Sequence, residues 1–241
     1  MTTDLKKYSS EGIHEKVLGC LEAFPRGFVL DVPSGQGAIS KELEKLGFKV
    51  FLGDIARQNI LYKNWRCVQI DMEKPFPFKE KTFDYGVCVE GIEHIENPYG
   101  LVREFARVIK KGGYLIITTP NVMTIKSRLR FLFYSYLDYF RYIGPIPSEE
   151  RHRIEEHEHH HLNPLFYPEI KFILQKCGFA IERIETNRMV KRWKLLFPLI
   201  KWFTKHKTRK KYPKDPFYIS DMILEGEDLI VIAKKSDGRN D

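Results

Sequence analysis

The chain has 241 residues, of which 43% are apolar and 30% are charged. This apolar content suffices for a folded core, so it excludes a disordered chain, and the length favours one large domain with an insertion. The four cysteines lie far apart without a CxxC pair, which excludes a disulfide scaffold or a zinc finger and indicates a reducing compartment. No run approaches the ~20 uninterrupted apolar residues of a spanning helix, and the first 25 residues lack a secretory signal pattern. We therefore expect a cytoplasmic protein, and attachment to a membrane surface stays open.

The predicted elements alternate between helix and strand, which is typical of a parallel sheet covered by helices. In chain order the patterns predict a helix over 8–24, a strand over 28–32, a helix ending at Gly47, and strands over 48–52, 67–70 and 83–89. A helix over 99–109 and a strand over 114–118 come next. Beyond an aromatic stretch over 122–143 and a histidine-rich loop over 149–161, the patterns predict a helix over 167–177 and strands over 179–184 and 229–233.

Carboxylates end the early strands, where open α/β sheets bind their ligands. The four are Asp31, Asp54, Asp71 and Glu90. Asp31 precedes a loop in which Gly35 and Gly37 let the backbone approach a ligand closely. Without a ligand, the same loop is a tight strand–helix turn.

Two cofactors fit such a loop. A dinucleotide favours G-x-G-x-x-G, but Ser40 stands at the third glycine position and the charge of Asp31 opposes a pyrophosphate. A carboxylate there suits a cationic ligand, such as the ammonium and sulfonium groups of S-adenosylmethionine. Asp54 suits a ribose diol in either case.

Ordered motifs resemble those of the class I S-adenosylmethionine-dependent methyltransferases, in particular the small-molecule enzymes of the ubiquinone-biosynthesis type. Val29–Gly37 looks like motif I, Phe83–Ile95 is similar to the fourth-strand motif, and Ile109–Asn121 matches the stretch into strand five. His161–Pro164, followed by a helix, also recurs in the family. The resemblance covers 28–120 closely and 160–187 less closely.

This resemblance implies an α/β, Rossmann-like fold with a doubly wound sheet of seven strands, an antiparallel last strand and helical lid insertions. We expect a single methyltransferase domain over 1–241. Within it, 121–160 is the predicted lid or acceptor insertion. Residues 188–217 are the predicted basic aromatic insertion between the last two strands.

The family resemblance also implies S-adenosylmethionine as cofactor and a set of residues that bind it. The set is Asp31, Pro33, Ser34, Gly35, Gly37, Asp54, Ile55, Asp71, Met72, Val89 and Glu90. The loop glycines and Asp31 would hold the methionine part, Asp54 the ribose, Asp71 and Met72 the adenine, and the backbone near Val89–Glu90 would complete the amino-acid pocket. Alternatively, Asp71 caps a turn and Met72 fills the core. Pro33 stands where the family usually has glycine, which removes one backbone donor.

Two histidines are the predicted catalytic residues. His94 follows the fourth strand and titrates near neutrality, so it is a candidate general base, and packing within its own helix is the alternative. His161 matches a family position. We expect no metal; the alternative is Glu90, Glu93 and His94 with a histidine from 157–161, which resembles the divalent-metal site of small-RNA 3′-terminal 2′-O-methyltransferases and of some ubiquinone-pathway enzymes. His157, His159 and His160 alternate with glutamates, which favours a solvated or lid-like loop.

The net charge of +8 is concentrated in one segment: 187–214 holds eleven Lys or Arg and no Asp or Glu, whereas the rest has a net charge of −3. Tryptophans near both ends of its apolar centre, with lysines outside, fit adsorption of 188–212 to an anionic membrane. RNA binding through phosphates and stacking, or packing on its own domain or a dimer partner, are the alternatives.

We expect methyl transfer to oxygen on a small-molecule, saccharide or lipid-linked acceptor, in preference to nucleic acid. A catalytically silent cofactor-binding or membrane-docking module of the same fold, or an RNA methyltransferase, is the alternative.

Overall fold

The computed structural model describes residues 5–62, 66–140, 161–190 and 197–236. Its helices are α1 Ile13–Glu22, α2 Ala38–Lys45, α3 Pro98–Val108, α4 Ile125–Tyr134, α5 Tyr167–Lys176, α6 Phe197–Lys211 and α7 Asp221–Glu225. The strands are β1 Phe28–Asp31, β2 Lys49–Asp54, β3 Cys67–Gln69, β4 Phe83–Cys88, β5 Ile109–Pro120, β6 Phe179–Glu185 and β7 Asp228–Lys235. Short 3₁₀ turns cover Arg57–Asn59, Ile92–His94 and Phe217–Ile219.

The seven strands form one sheet in the order β3-β2-β1-β4-β5-β7-β6. Strands β1 to β5 pair in parallel, and β7 runs antiparallel to both β5 and β6. This confirms the predicted doubly wound sheet with its antiparallel last strand. The strand order reverses between β1 and β4, so the loops that follow these strands border the crevice where such sheets bind ligands.

Apolar side chains alternate between the two faces of the sheet, as strand geometry requires. Val29 on β1 packs in a core with Ile13 of α1 and Leu43 of α2. Leu30, its neighbour, packs on the other face with Phe105 of α3 and Tyr167 of α5. Helices therefore cover both faces, and the carboxyl edge of the sheet is left for the site.

Two predicted boundaries are wrong, each for a local reason. Helix α1 begins at Ile13 rather than near residue 8, because Gly12 adopts a left-handed φ of 85°. Strand β5 begins directly after α3 rather than at Tyr114, and the pairing register with β4 shifts between Phe83 and Tyr85. Gly113 permits this, since a Cβ there would lie 2.5 Å from the carbonyl oxygen of Asp84.

The aromatic stretch after β5 begins as α4, whose first turn is capped by the Thr124 hydroxyl accepting from the Ser127 amide at 3.0 Å. The rest of the predicted lid, 141–160, and the tryptophan end of the basic insertion, 191–196, lie outside the described residues. Among the helices described, none combines the length and apolar content needed to cross a bilayer.

Candidate active site

The turn between β1 and α2 requires glycine at two positions. Gly35 and Gly37 adopt φ values of 50° and 86°, which other residues rarely reach. A Cβ on Gly37 would lie 2.6 Å from the Cβ of Tyr62. The Ser34 amide donates to the carbonyl of Gly53 at 2.8 Å, which joins the turn to the end of β2.

Asp54, at the end of β2, holds the same turn through its side chain. One carboxylate oxygen accepts from the Gly35 amide at 2.9 Å, and the other accepts from the Ala56 amide at 3.1 Å. Each carboxylate oxygen can accept a further hydrogen bond, so these contacts leave capacity for a diol. The structure therefore brings Gly35, Gly37 and Asp54 together, as the motif predicts.

Asp31 lies beneath the turn rather than at its open side, and no part of it is exposed. The Ser40 hydroxyl donates to one carboxylate oxygen at 2.5 Å, while the other has no hydrogen-bond partner among the described residues. Burial, opposed by the hydrogen bond from Ser40 and assisted by the charge of Asp54, raises the pKa of Asp31 to about 7. Ser40, at the missing third glycine, is thus the support of the carboxylate.

Pro33 is accommodated by a glycine on the neighbouring loop. A Cβ on Gly91, after β4, would lie 2.4 Å from Cδ of Pro33. The proline ring thus occupies the space that a side chain at position 91 would need. Ser34 is buried in the same turn.

Further residues of the predicted cofactor set are Asp71, Met72 and Ile55. The Asp71 carboxylate accepts from the Glu73 amide at 3.0 Å and pairs with Lys74 at 2.9 Å, and the bond from Lys74 holds its pKa below the usual value. It therefore caps a turn in this structure. Met72 is partly buried against the core, whereas Ile55 is 65% exposed. Their contacts with a cofactor stay predictions.

Glu90, directly after the buried Val89, adopts a left-handed φ of 48°. The Thr118 hydroxyl donates to its carboxylate at 2.7 Å and accepts from its amide at 2.9 Å. Burial raises the pKa of Glu90 well above its usual value, and the charges of Glu93 and Asp228 add to this. A hydroxyl on β5 thus fixes the backbone at the end of β4.

Glu93, His94 and His161 form one cluster, whose ligand atoms all lie within 4.8 Å of one another. Backbone hydrogen bonds bring His161 there, because the amides of Leu162 and Asn163 both donate to the Glu93 carbonyl, at 2.8 and 3.0 Å. The two imidazole centroids are 4.9 Å apart. His94 Nε2 lies 3.8 Å from Glu93 Oε1. Of the histidines considered for this position, His161 is the one placed there; His157, His159 and His160 fall in the part of the chain that is not described.

Glu93 is fully buried, and neither carboxylate oxygen meets hydrogen-bond geometry with a described residue. Burial raises its pKa to about 8. His161 Nδ1 lies 3.0 Å from the carbonyl oxygen of Tyr139. Because a carbonyl only accepts, Nδ1 carries a proton, and in the neutral imidazole Nε2 is then the nitrogen with the lone pair.

Sequence reasoning missed a second acidic pair beside this cluster. Asp228 is fully buried with a pKa raised by burial to about 6, and Glu227 pairs with Arg188 at 2.8 Å and accepts from the Tyr139 hydroxyl at 3.3 Å. Asp228 opens β7 opposite Pro120, the last residue of β5. An antiparallel last strand begins at the edge of the sheet where the parallel strands end. Acidic residues at its start, Glu227 and Asp228, therefore lie at that carboxyl edge, and this pattern could have been found in the sequence.

Comparison with known proteins shows that part of the chain is similar to methyltransferases. A family model described as a methyltransferase domain matches residues 30–117. A ubiquinone biosynthesis O-methyltransferase of Xanthomonas campestris is 32% identical over 108 residues, which are 41% of this chain and 45% of that protein. The enzyme of the same name from Aliivibrio fischeri is 28% identical over 110 residues, 42% of this chain and 47% of that one. The matches span less than half the length of these relatives.

Solved structures share the fold over nearly the whole chain. A SAM dependent methyltransferase from Archaeoglobus fulgidus superposes with a TM-score of 0.56 at 21% identity, covering 92% of this chain and 94% of the other. One from Mesorhizobium loti gives 0.56 at 13% identity, covering 93% and 99%. Residues 30–117 of the chain therefore match a methyltransferase domain, and the described fold is the seven-stranded fold of solved SAM-dependent methyltransferases.

Proposed function

We propose that the protein is an enzyme that transfers the methyl group of S-adenosylmethionine to a hydroxyl of a small acceptor. One observation carries this proposal: the glycine turn held by Asp54 adjoins, across β1 and β4, a cluster of two histidines and a buried carboxylate. The first part suits a nucleoside with an amino-acid tail. The second suits removal of a proton from the acceptor.

For the cofactor, we propose that Asp54 binds the ribose diol and that Asp71 and Met72 flank the adenine. The turn from Pro33 to Gly37 and the backbone at Val89–Glu90 would surround the methionine part. Asp31 would act from beneath, since a buried carboxylate favours a cation across a medium of low dielectric constant. One carboxylate oxygen of Asp31 has no hydrogen-bond partner among the described residues, which supports this role.

The sulfonium already makes the methyl carbon electrophilic, so the protein has to align the acceptor oxygen with the S–CH₃ bond. Alignment of this kind is worth ~7–11 kcal/mol of barrier. We propose that His161, with its lone pair on Nε2, accepts the hydroxyl proton and that His94 holds the acceptor beside it. The hydrogen bond from Nδ1 to the Tyr139 carbonyl supports this tautomer.

A divalent cation is the second candidate for activating the hydroxyl, and the buried carboxylate of Glu93 favours it. Within the described residues, Glu93 is fully buried in contact with the Thr119 hydroxyl, and burial of a carboxylate is costly unless a positive group meets it. Glu93, His94 and His161 supply a mixed oxygen and nitrogen donor set that suits Mn²⁺ or Zn²⁺. Such an ion would lower the pKa of a bound hydroxyl.

The acceptor we propose is a saccharide or a lipid-linked small molecule with a free hydroxyl. The relatives named for ubiquinone biosynthesis support a small acceptor methylated at oxygen. An exposed apolar run on α4, Phe131 to Tyr134, supports an apolar acceptor, because the segment that follows β5 is where the predicted lid begins.

Titration calorimetry with S-adenosylhomocysteine tests the cofactor. The variant Gly37→Val should abolish binding, because a side chain there collides with Tyr62, whereas Gly19→Ala is the matched control, since nothing lies within 4 Å of its Cβ. Retained binding in Gly37→Val, with a folded circular dichroism spectrum, would contradict the proposed cleft.

Transfer of labelled methyl groups to cell extracts, followed by identification of the product, tests the reaction. His161→Gln should lower kcat at least tenfold without changing the affinity for S-adenosylhomocysteine. Cofactor binding without any labelled product would indicate a silent module. Unchanged activity after removal of metal by EDTA would exclude the cation and leave His161 as the base.

A further inference from the structure

Helix α6 is rich in lysine and arginine, and one of its faces forms ion pairs with the described domain. Lys201 pairs with Asp221 at 3.0 Å and also with Glu225, and Lys205 pairs with Asp221 at 2.5 Å. Both partners lie on α7, so these lysines, one helical turn apart, fix which side of α6 faces the protein. Their charge is neutralised there.

The opposite face of α6 carries large apolar side chains in solvent. Leu199, Trp202 and Phe203 are 63%, 62% and 54% exposed. At 100° per residue Leu199 and Phe203 lie on the side opposite to Lys201, together with the exposed His206 and Lys210, and Trp202 lies at the edge of this face. No residue of α6 is buried.

The aromatic side chains of this outer face are held by their own helix. Trp202 stacks on His206 with centroids 5.6 Å apart, and the Lys207 ammonium lies 5.4 Å from the centroid of Phe203. Contacts with the rest of the described domain do not bury them. The outer face is therefore ordered but uncovered within the part of the chain described here.

Basic side chains at the carboxyl end of α6 indicate which partner this helix would bind. Lys207, Arg209, Lys210 and Lys211 are exposed at the carboxyl end of α6 and form no ion pair with a described residue. Apolar and aromatic residues thus lead into a basic turn. A helix that exposes large apolar and aromatic side chains next to a group of basic ones can adsorb at the boundary between anionic headgroups and acyl chains.

We propose that the outer face of α6, defined by Leu199, Trp202, Phe203, His206 and Lys210, docks the protein on an anionic lipid bilayer. The apolar side chains enter the interface, and the lysines and arginine contact the headgroups. This proposal goes beyond the proposed transfer reaction and does not depend on it. If both hold, docking brings a lipid-linked acceptor to the domain.

Vesicle flotation tests the docking of the full chain, with phosphatidylcholine vesicles that contain phosphatidylglycerol compared with phosphatidylcholine alone. We expect flotation with the anionic vesicles only, decreasing as salt rises. Lys207→Gln with Lys210→Gln should weaken partitioning about 30-fold, since each basic residue near the surface is worth about fivefold. The matched control is Lys79→Gln with Lys111→Gln, which removes two exposed charges elsewhere.

Trp202→Ser with Phe203→Ser should also abolish flotation, whereas Phe172→Ser, which removes a 56% exposed phenylalanine from α5, should not. Circular dichroism checks that every variant is folded. Equal flotation of all variants, or none by the parent protein, would overturn the proposal. Two other results would also overturn it, if the parent protein does not bind vesicles. One is binding to a single-stranded RNA oligonucleotide that is lost in these variants, and the other is a dimer in sedimentation velocity that is lost in them. None of these readouts measures methyl transfer.

Discussion

The buried carboxylate of Asp31 makes cofactor affinity depend on pH. Its pKa is raised from 3.8 to about 7 by burial, so near neutral pH only about half of the protein carries this charge. A cationic ligand favours the ionised form. We therefore expect the affinity for S-adenosylhomocysteine, which keeps the ammonium group, to fall as pH decreases from 7.5, approaching about tenfold per unit below pH 6.

The same group makes the stability of the unliganded protein depend on pH, with the opposite sign. Because the folded state holds the proton more tightly than the unfolded state, this contribution is fully present below pH 4 and is lost as pH rises to about 7. The shift of about three pKa units corresponds to at most about 4 kcal/mol. Asp31→Asn should therefore raise the free energy of unfolding above pH 7, by roughly 2–4 kcal/mol, and flatten its pH dependence.

Urea unfolding of Asp31→Asn from pH 5 to pH 8, with calorimetry of ligand binding in the same buffers, measures both effects. Glu42→Gln is the control, because its carboxylate pairs with Lys45 on the exposed surface of α2 and lies in no described contact with Asp31. The variant should lose both affinity and the pH dependence of affinity. An Asp31→Asn protein that binds as tightly as the parent protein, or that is less stable at pH 8, would refute the reasoning.

Three further experiments, with five substitutions, test the packing of the domain. The buried amide of Asn121 donates to the carbonyls of Met222, Ile223 and Gly226 at 3.1, 3.0 and 2.8 Å, where a carboxylate could only accept. Asn121→Asp should therefore lower the free energy of unfolding in urea by about 3 kcal/mol, and Asn121→Ala by about 2 kcal/mol. The reverse order would contradict this. Gly91→Ala should cost about 1–3 kcal/mol, and Pro33→Gly in the same protein should recover part of the loss; equal costs with and without the proline would show that the ring is not the obstacle. Tyr167→Phe should cost about 1–2 kcal/mol in thermal unfolding, because its hydroxyl donates to the buried Asp215 at 2.9 Å; an unchanged Tm would disprove that contribution.

The sheet was predictable because its signals are local. Apolar runs ending in Asp31, Asp54 and Glu90 mark the strands, and glycine pairs mark the turns. The predicted boundaries were wrong where tertiary contacts determine them. Strand β5 includes Gly113 because only glycine fits so close to Asp84, and this proximity depends on the pairing of β4 with β5.

The candidate site was predictable in its parts but not in its assembly. His94 and His161 were both singled out, but their contact depends on two backbone amides that donate to the Glu93 carbonyl across 69 and 70 positions of sequence. Burial was not visible either. Asp31 reads as a charge facing a ligand, whereas the structure places it beneath the turn, held by Ser40.

The fit of the Pro33 ring against Gly91 constrains how this chain can change over evolutionary time. With the ring present, a side chain at position 91 meets an atom at 2.4 Å, so replacing that glycine destabilises the protein while the proline stays. In a lineage descended from this sequence, exchange of the glycine would cost less stability after exchange of the proline. In relatives with glycine at the position equivalent to 33, the residue at position 91 does not face this constraint. We therefore expect the residues at positions 33 and 91 to vary together among relatives.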